Sequence, residues 1–143
     1  MTSVTEHKRK IKEHLQALND AIDYGIENKP ITIGFHTSAC ATELLEIYLH
    51  KLNLISIGKT IKHNWFEKPK PGQKIAPLIE RKLSVNFPDK EKIYHLIYNI
   101  EEHRDNLIYG KNSPALVKFV LENFLQLKEQ LIKKLKDLGE EIG

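Results

Sequence analysis

The sequence has little cysteine and no long apolar run, and these absences exclude several classes of protein. Cys40 is the only cysteine among the 143 residues, so neither a disulfide within the chain nor a zinc site made of cysteines can form. No stretch approaches the roughly 18 apolar residues that indicate a membrane span. The start, "MTSVTEHKRKIKEHLQAL", is basic and then amphipathic, without the apolar centre of a signal peptide. We therefore expect a cytoplasmic protein with no membrane contact.

A strong excess of charge of one sign is also missing. The net charge is +3, and 29% of the residues are charged, whereas proteins that bind nucleic acid mainly through charge concentrate Lys and Arg far more. The hydrophobic fraction of 41% is that of a folded globular chain. The length suits one domain with a real core. We predict a single helical domain over residues 1–143.

The chain has no glycine-rich phosphate loop, and its seven histidines show no motif for a metal ion. None forms a His-x-x-x-His pair with a carboxylate on one helix face. His95 and His103 are about two helical turns apart, which is too far for one ion. We expect neither a metal ion nor a cofactor.

Apolar residues recur every three or four positions along most of the chain, which is the pattern of amphipathic helices. The first predicted helix runs from about Val4 to Asn28, and its apolar stripe consists of Ile11, Leu15, Leu18, Ile22 and Ile26. Pro30 ends this helix, and Thr32 caps the next. The second helix, about residues 33–53, is the least polar segment. It therefore lies centrally in a bundle or against a partner chain.

The second half of the chain predicts a loop with a short helix, followed by two longer helices. Proline and glycine in "KPKPGQ", residues 68–73, exclude regular structure, while "APLIERKLS", residues 76–84, allows a short helix. The fourth helix opens at Pro88 and Asp89 with Gly110 as its C-cap, and the last begins at Ser113-Pro114. We predict an all-α fold: an antiparallel, up-and-down bundle of four to five helices, with a long loop between the second and fourth.

The stretch "HRDNLIYGK", residues 103–111, interrupts the apolar face of the fourth helix. Continuing the helical spacing from Ile97 and Ile100 leads to Arg104, with His103 beside it. A guanidinium stays charged at physiological pH, so a buried one needs a carboxylate, a set of carbonyls or the phosphate of a ligand. Two structural alternatives are an arginine that snorkels at the core edge and an ion pair with Glu43 of the second helix.

These residues resemble the HEPN superfamily, the higher-eukaryote and prokaryote nucleotide-binding domains. The likeness covers about residues 35–131 and rests on the small apolar second helix, His63 after it, the arginine near the end of the penultimate helix and the long last helix. The hallmark of the family is an arginine followed four to six residues later by a histidine. In "RDNLIYG" the arginine is Arg104, Asp105 and Asn106 follow it, and Tyr109 stands where the histidine is expected.

The resemblance implies a homodimer in which two such motifs face one cleft. Active members of the family are metal-independent ribonucleases, and many are toxins paired with a small nucleotidyltransferase antitoxin. A polar residue of the second helix often joins the site, and Glu43 is the best match. The resemblance thus suggests RNA or a nucleotide as ligand, bound by Arg104, Asn106, Glu43 and Lys111. A second helix that is apolar on two sides also favours a dimer.

Metal-independent RNA cleavage would use three residues of this stretch. Arg104 would neutralise the charge of the phosphorane, because its planar fork matches a phosphate. His103 is the adjacent imidazole for proton transfer near neutral pH. Tyr109, with an ordinary pKa of about 10, can donate a hydrogen bond but is a poor base, so catalysis is uncertain. The alternative function is a non-catalytic helical homodimer or scaffold for protein–protein interaction.

Overall fold

The computed structural model describes residues 4–56 and 58–142, and within these ranges it contains helices and no strand. The helices are α1 (Val4–Tyr24), α2 (Pro30–Lys51), α3 (Leu78–Lys82), α4 (Lys90–Ile108) and α5 (Pro114–Asp137), with 3-10 turns at Ile26–Asn28 and His63–Phe66. The predicted all-α bundle is confirmed. None of the helices in the described ranges combines the length and apolar character needed to cross a membrane.

Helix α2 occupies the centre of the bundle. It packs against α1, α4 and α5, and α4 also packs against α5. Ile33, Leu44, Ile47 and Leu49 of α2 are fully buried. The apolar character of α2 on several sides is therefore explained within one chain, and it no longer indicates a partner.

Among residues 4–56 and 58–142, the buried apolar side chains form one cluster, the core, which includes Ile11, Leu45, Ile93 and Phe124. The segment between α2 and α4 is attached to this core through the 3-10 turn at His63–Phe66. There Phe66 is fully buried and meets Tyr94 of α4 edge to face, with ring centroids 5.2 Å apart. Aromatic pairs of this geometry add to the stabilisation from burial.

The end of α1 differs from the sequence prediction. The helix stops at Tyr24, because Gly25 adopts φ 121°, a left-handed conformation that favours glycine. Ile22 is 42% exposed, so its predicted place in the buried stripe is wrong. Ala21, one position earlier, is buried in its place.

The start of α2 was also placed wrongly by the sequence. Pro30 does not end the first helix, which stops at Tyr24, but opens α2 at its first position, where a missing N–H and a fixed φ are favourable. Thr32 therefore lies inside the first turn of α2, and the residue at the cap position is Lys29.

The borders of α4 and α5 lie close to their predicted positions. Asp89 is the N-cap residue of α4, and Ser113 caps α5 by accepting a hydrogen bond from the Leu116 backbone N–H at 3.2 Å. The C-cap of α4 is Tyr109 rather than Gly110, because the chain still has right-handed backbone angles at Tyr109.

Candidate functional site

A groove with a volume of about 280 Å³ lies between α2, α4 and the turn at His63–Phe66. It combines one exposed aromatic ring, several small polar side chains and charged groups of both signs. The residues that matter for its chemistry are Phe35, Thr42, Glu43, Lys62, His63 and Arg104.

Gly34 allows the close helix contact beside this groove. A Cβ atom at Gly34 would lie 2.8 Å from Cβ of Leu107 and 3.3 Å from the backbone oxygen of Arg104. Only glycine fits so near the backbone of α4. The contact brings the start of α2, with Phe35, to the part of α4 that carries Arg104.

The guanidinium of Arg104 is largely enclosed but only partly satisfied. Its side chain is 14% exposed, and Nη1 donates a hydrogen bond to Oδ1 of the neighbouring Asp105 at 3.1 Å. Its Nε is buried and has no hydrogen-bond partner among the described residues. Because a buried donor without a partner is costly, Arg104 retains the capacity to bind an anion.

Glu43 lies in the same groove but does not neutralise Arg104. Its Oε2 pairs with Nδ1 of His7, and its Oε1 lies 3.9 Å from Nζ of Lys10. The structural alternative in which Arg104 is held by Glu43 therefore does not describe this structure. Both residues line the groove, and their sharing of a binding site stays a prediction.

An acidic cavity of about 340 Å³ adjoins the groove, and Glu101, Glu102 and Asp105 line it. Nδ1 of His63 lies 3.0 Å from each carboxylate oxygen of Glu101 at the boundary. Burial raises the pKa of Glu101, while the hydrogen bond and charge of His63 and the charge of Arg104 act in the opposite direction. The carboxylates of this cavity would repel a phosphate, whereas the groove offers the cation of Arg104.

The other predicted site residues lie elsewhere. The ring of His103 packs against Phe119 of α5, with ring centroids 5.6 Å apart. Tyr109 at the end of α4 is 79% exposed, and Asn106 and Lys111 are exposed as well. The described residues that line the groove include none of these four. Since neighbouring helical residues point about 100° apart, His103 cannot follow Arg104 into the groove.

Phe35 was missed by the sequence analysis. It is 44% exposed and lines the groove with Arg104. The available signal was an aromatic residue that falls next to Gly34 and outside the buried face of α2. An exposed ring beside a cation is an arrangement that supports stacking of a base with its phosphate nearby.

A group of potential metal ligands was also missed. One donor atom each of His7, Glu46 and His50 lies within 4.8 Å of the others. Burial raises the pKa of Glu46 to about 7. The signal was the Glu46-x-x-x-His50 spacing, which places both side chains on one face of α2, whereas the motif sought in the sequence was a pair of histidines.

A further histidine pair joins α1 to α2. Nδ1 of His14 lies 2.8 Å from Nδ1 of His36. The pKa of His14 is lowered by burial and by the charge of His36, and burial lowers the pKa of His36. Both rings are thus favoured in their neutral forms, with one donating to the other.

The chain was compared with family models, with curated proteins and with solved structures, and none of them matches. The functional interpretation therefore depends on the residues and geometry described above.

Proposed function

We propose that this chain is a HEPN-like helical domain that binds RNA or a nucleotide in the groove between α2 and α4. Arg104 contacts the phosphate, and Phe35 stacks on the base. The observation that supports this proposal is the enclosed guanidinium with an unpaired Nε, which shares its groove with an exposed aromatic ring.

The charges of the groove support a phosphate ligand. The only ion pair of Arg104 among the described residues is with Asp105, whose side chain is 81% exposed, and an exposed pair of this kind contributes little energy. Phosphate can replace it bidentately, with stronger charge-assisted hydrogen bonds. Lys62 on the same groove adds a second positive charge.

Binding is favoured over cleavage by the positions of the predicted catalytic side chains. His103 packs on Phe119, and Tyr109 lies at the exposed end of α4. Within one chain these groups do not surround a phosphate held by Arg104. General acid–base catalysis requires a proton-transferring group within hydrogen-bond reach of the reacting oxygen. We therefore propose a binding domain, and a homodimer could still bring a second Tyr109 nearby.

The resemblance also suggests the assembly and the protein partner. A homodimer with two facing Arg104 grooves and a small nucleotidyltransferase antitoxin both remain predictions. Exposed Ile31 and Phe35, one turn apart on α2, offer an apolar contact for either. Sedimentation equilibrium of the purified chain tests the homodimer: a monomer would remove the shared cleft but not the groove of a single chain.

The test of the proposed function is binding of a labelled single-stranded RNA, measured by fluorescence anisotropy at several salt concentrations. We expect Arg104→Ala to weaken binding about 10- to 100-fold, because the substitution removes a hydrogen bond between the charged guanidinium and the phosphate. It should also reduce the salt dependence by roughly one counterion. Phe35→Ala should weaken binding to a similar extent, because stacking contributes about 1–3 kcal/mol per base.

Arg9→Ala is the matched control, since it removes the same charge from an exposed side chain whose partner Glu6 lies on the surface. Circular dichroism of each variant verifies folding. Equal affinities of the Arg104 and Arg9 variants, or no binding by the wild type to RNA and nucleotides, would refute the proposal. An RNA gel run beside the binding assay should show intact RNA. If the wild type cleaves RNA and Arg104→Ala does not, the function is catalysis and not binding alone.

A further inference from the structure

Three side chains with metal-binding atoms meet between the first turns of α1 and the second half of α2. They are His7, Glu46 and His50, and one donor atom from each lies within 4.8 Å of the other two. Glu46 and His50 are one turn apart on α2, while His7 comes from α1. The side chains of His7 and Glu46 are only 2% and 5% exposed. The cluster is therefore held by two packed helices and shielded from water.

The nitrogen atoms of this cluster are unusually short of partners. Nε2 of His7 and both ring nitrogens of His50 are buried and have no hydrogen bond among the described residues. Nε2 of His7 lies 3.2 Å from Oε2 of Glu46 but outside hydrogen-bond geometry. Burial lowers the pKa of His50, and a weak hydrogen bond to the backbone of Ile55, outside the geometry of a full hydrogen bond, acts in the opposite direction. Buried polar atoms in folded proteins normally have partners, so Nε2 of His7 and the ring of His50 are positioned to accept a ligand.

The outer contacts of the cluster orient its donor atoms. Glu43 pairs with Nδ1 of His7, and when His7 donates there, the lone pair of its Nε2 faces Glu46. The backbone N–H of Ile61 donates to Oε1 of Glu46 at 2.6 Å, which leaves Oε2 directed toward His7. Metal-binding histidines typically have such a carboxylate on their second nitrogen, and metal-binding carboxylates are hydrogen-bonded in turn.

We propose that His7, Glu46 and His50 form a binding site for one divalent transition-metal ion, best suited to Zn²⁺. Two imidazoles and a carboxylate are a ligand set found around zinc, whereas Ca²⁺ and Mg²⁺ prefer oxygen ligands alone. Bonds of about 2.0–2.2 Å place tetrahedral ligand atoms roughly 3.4 Å apart, so small side-chain rotations close the group. The fourth position is left for water.

The ion would link α1 to α2, because His7 lies on one helix and Glu46 and His50 on the other. It also completes the hydrogen-bonding and charge requirements of the buried cluster. A competing explanation is a proton shared between His7 and Glu46, which would satisfy those two residues but leave His50 with only the backbone of Ile55 as a partner. The two explanations differ in what the purified protein binds.

The test uses the full chain without a histidine tag, treated with a chelator and then titrated with Zn²⁺ by calorimetry. We expect one equivalent to bind and to raise the melting temperature, because the ion binds the folded state preferentially. Titration with Co²⁺ should give the visible absorption of a tetrahedral nitrogen–oxygen site, without a thiolate charge-transfer band from Cys40. Mg²⁺ should neither bind at this site nor raise the melting temperature.

Glu46→Gln and His50→Gln should each weaken Zn²⁺ binding by more than about tenfold, because loss of even an outer partner costs that much. His36→Gln is the matched control, since His36 belongs to the other histidine pair between the same helices. Arg104→Ala, which removes no ligand atom of the cluster, should change Zn²⁺ binding far less than Glu46→Gln or His50→Gln does, and this difference separates the proposal from that of RNA binding. No stoichiometric Zn²⁺ or Co²⁺ binding by the wild type, or Zn²⁺ binding lost in His36→Gln but kept in Glu46→Gln and His50→Gln, would overturn the proposal.

Discussion

The buried faces of α1 and α5 differ in chemistry. Helix α5 contributes mostly aliphatic and aromatic side chains to the core, together with Asn123, which accepts a hydrogen bond from Asn99 of α4. Helix α1 contributes fewer buried apolar residues, and its contact with α2 contains His7, His14 and His50. Apolar burial is insensitive to pH and metal ions, whereas imidazoles respond to both. The α5 side of the core, the apolar half, thus stabilises the fold through apolar burial. The α1 side, the titratable half, contains imidazoles that respond to pH.

The largest effect should come from the apolar half. Phe124→Ala removes a side chain that is 1% exposed, and truncation of a buried Phe costs about 3–5 kcal/mol. Phe119→Ala on the same helix is the control, because Phe119 is 40% exposed. Urea unfolding should show a much smaller loss for it. Equal losses would contradict the difference between the two positions.

A smaller but more specific effect is expected where α2 meets α4. Gly34→Ala would place a Cβ atom 2.8 Å from Leu107, and overpacking of this kind costs about 1–3 kcal/mol. At an unconstrained helix position the same substitution stabilises by up to about 1 kcal/mol. The sign of the change in unfolding free energy therefore tests the contact. A stabilised Gly34→Ala would mean that the two helices are farther apart.

The mildest prediction concerns pH and belongs to the titratable half. The pKa values of His14 and His36 are lowered in the folded chain, so the unfolded chain binds protons first as the pH falls. The stability they support is present above the ordinary histidine pKa of about 6.5 and is lost as the pH falls below it. The negative charges of Glu43 and Glu13 raise the pKa of His14 and so partly oppose the lowering by burial.

Melting temperatures measured from about pH 7.5 to pH 5 should decline for the wild type and decline less for His36→Gln. Glu46 and Glu101, whose pKa values are raised, act in the opposite direction in both proteins, so the difference between the two curves isolates the pair. His95→Gln on the exposed surface of α4 is the control. Parallel curves for the wild type and His36→Gln would show that this pair does not contribute.

The sequence was sufficient where local chemistry determines the structure. Ser113 followed by proline marked the start of α5, and the periodicity of α4 placed its buried face, because caps and amphipathic spacing act within one helix. The predicted apolar stripe of α1 is wrong beyond Leu18. The end of the helix before Gly25 and its packing on α2 decide which side of it is buried there. Local spacing does not contain that information.

The candidate site was predictable to a similar degree. Arg104 was identified by its place on an apolar face, and Glu43 by resemblance, and both line the groove. Phe35 and the group around His7 left only partial signals in the sequence, because their surroundings depend on how closely α2 approaches α4 and α1. Helix–helix contacts of this kind join residues that are distant in sequence, as His7 and Glu46 are.

The carboxylate of Glu43 joins the histidine cluster to the groove of Arg104. This carboxylate pairs with His7 on one side and lines the groove of Arg104 on the other, so a change of charge at either place alters the electric field at its neighbour. Linkage of this kind is reciprocal: a cation next to His7 that changes the affinity of the groove for an anion must have its own affinity changed by the same factor.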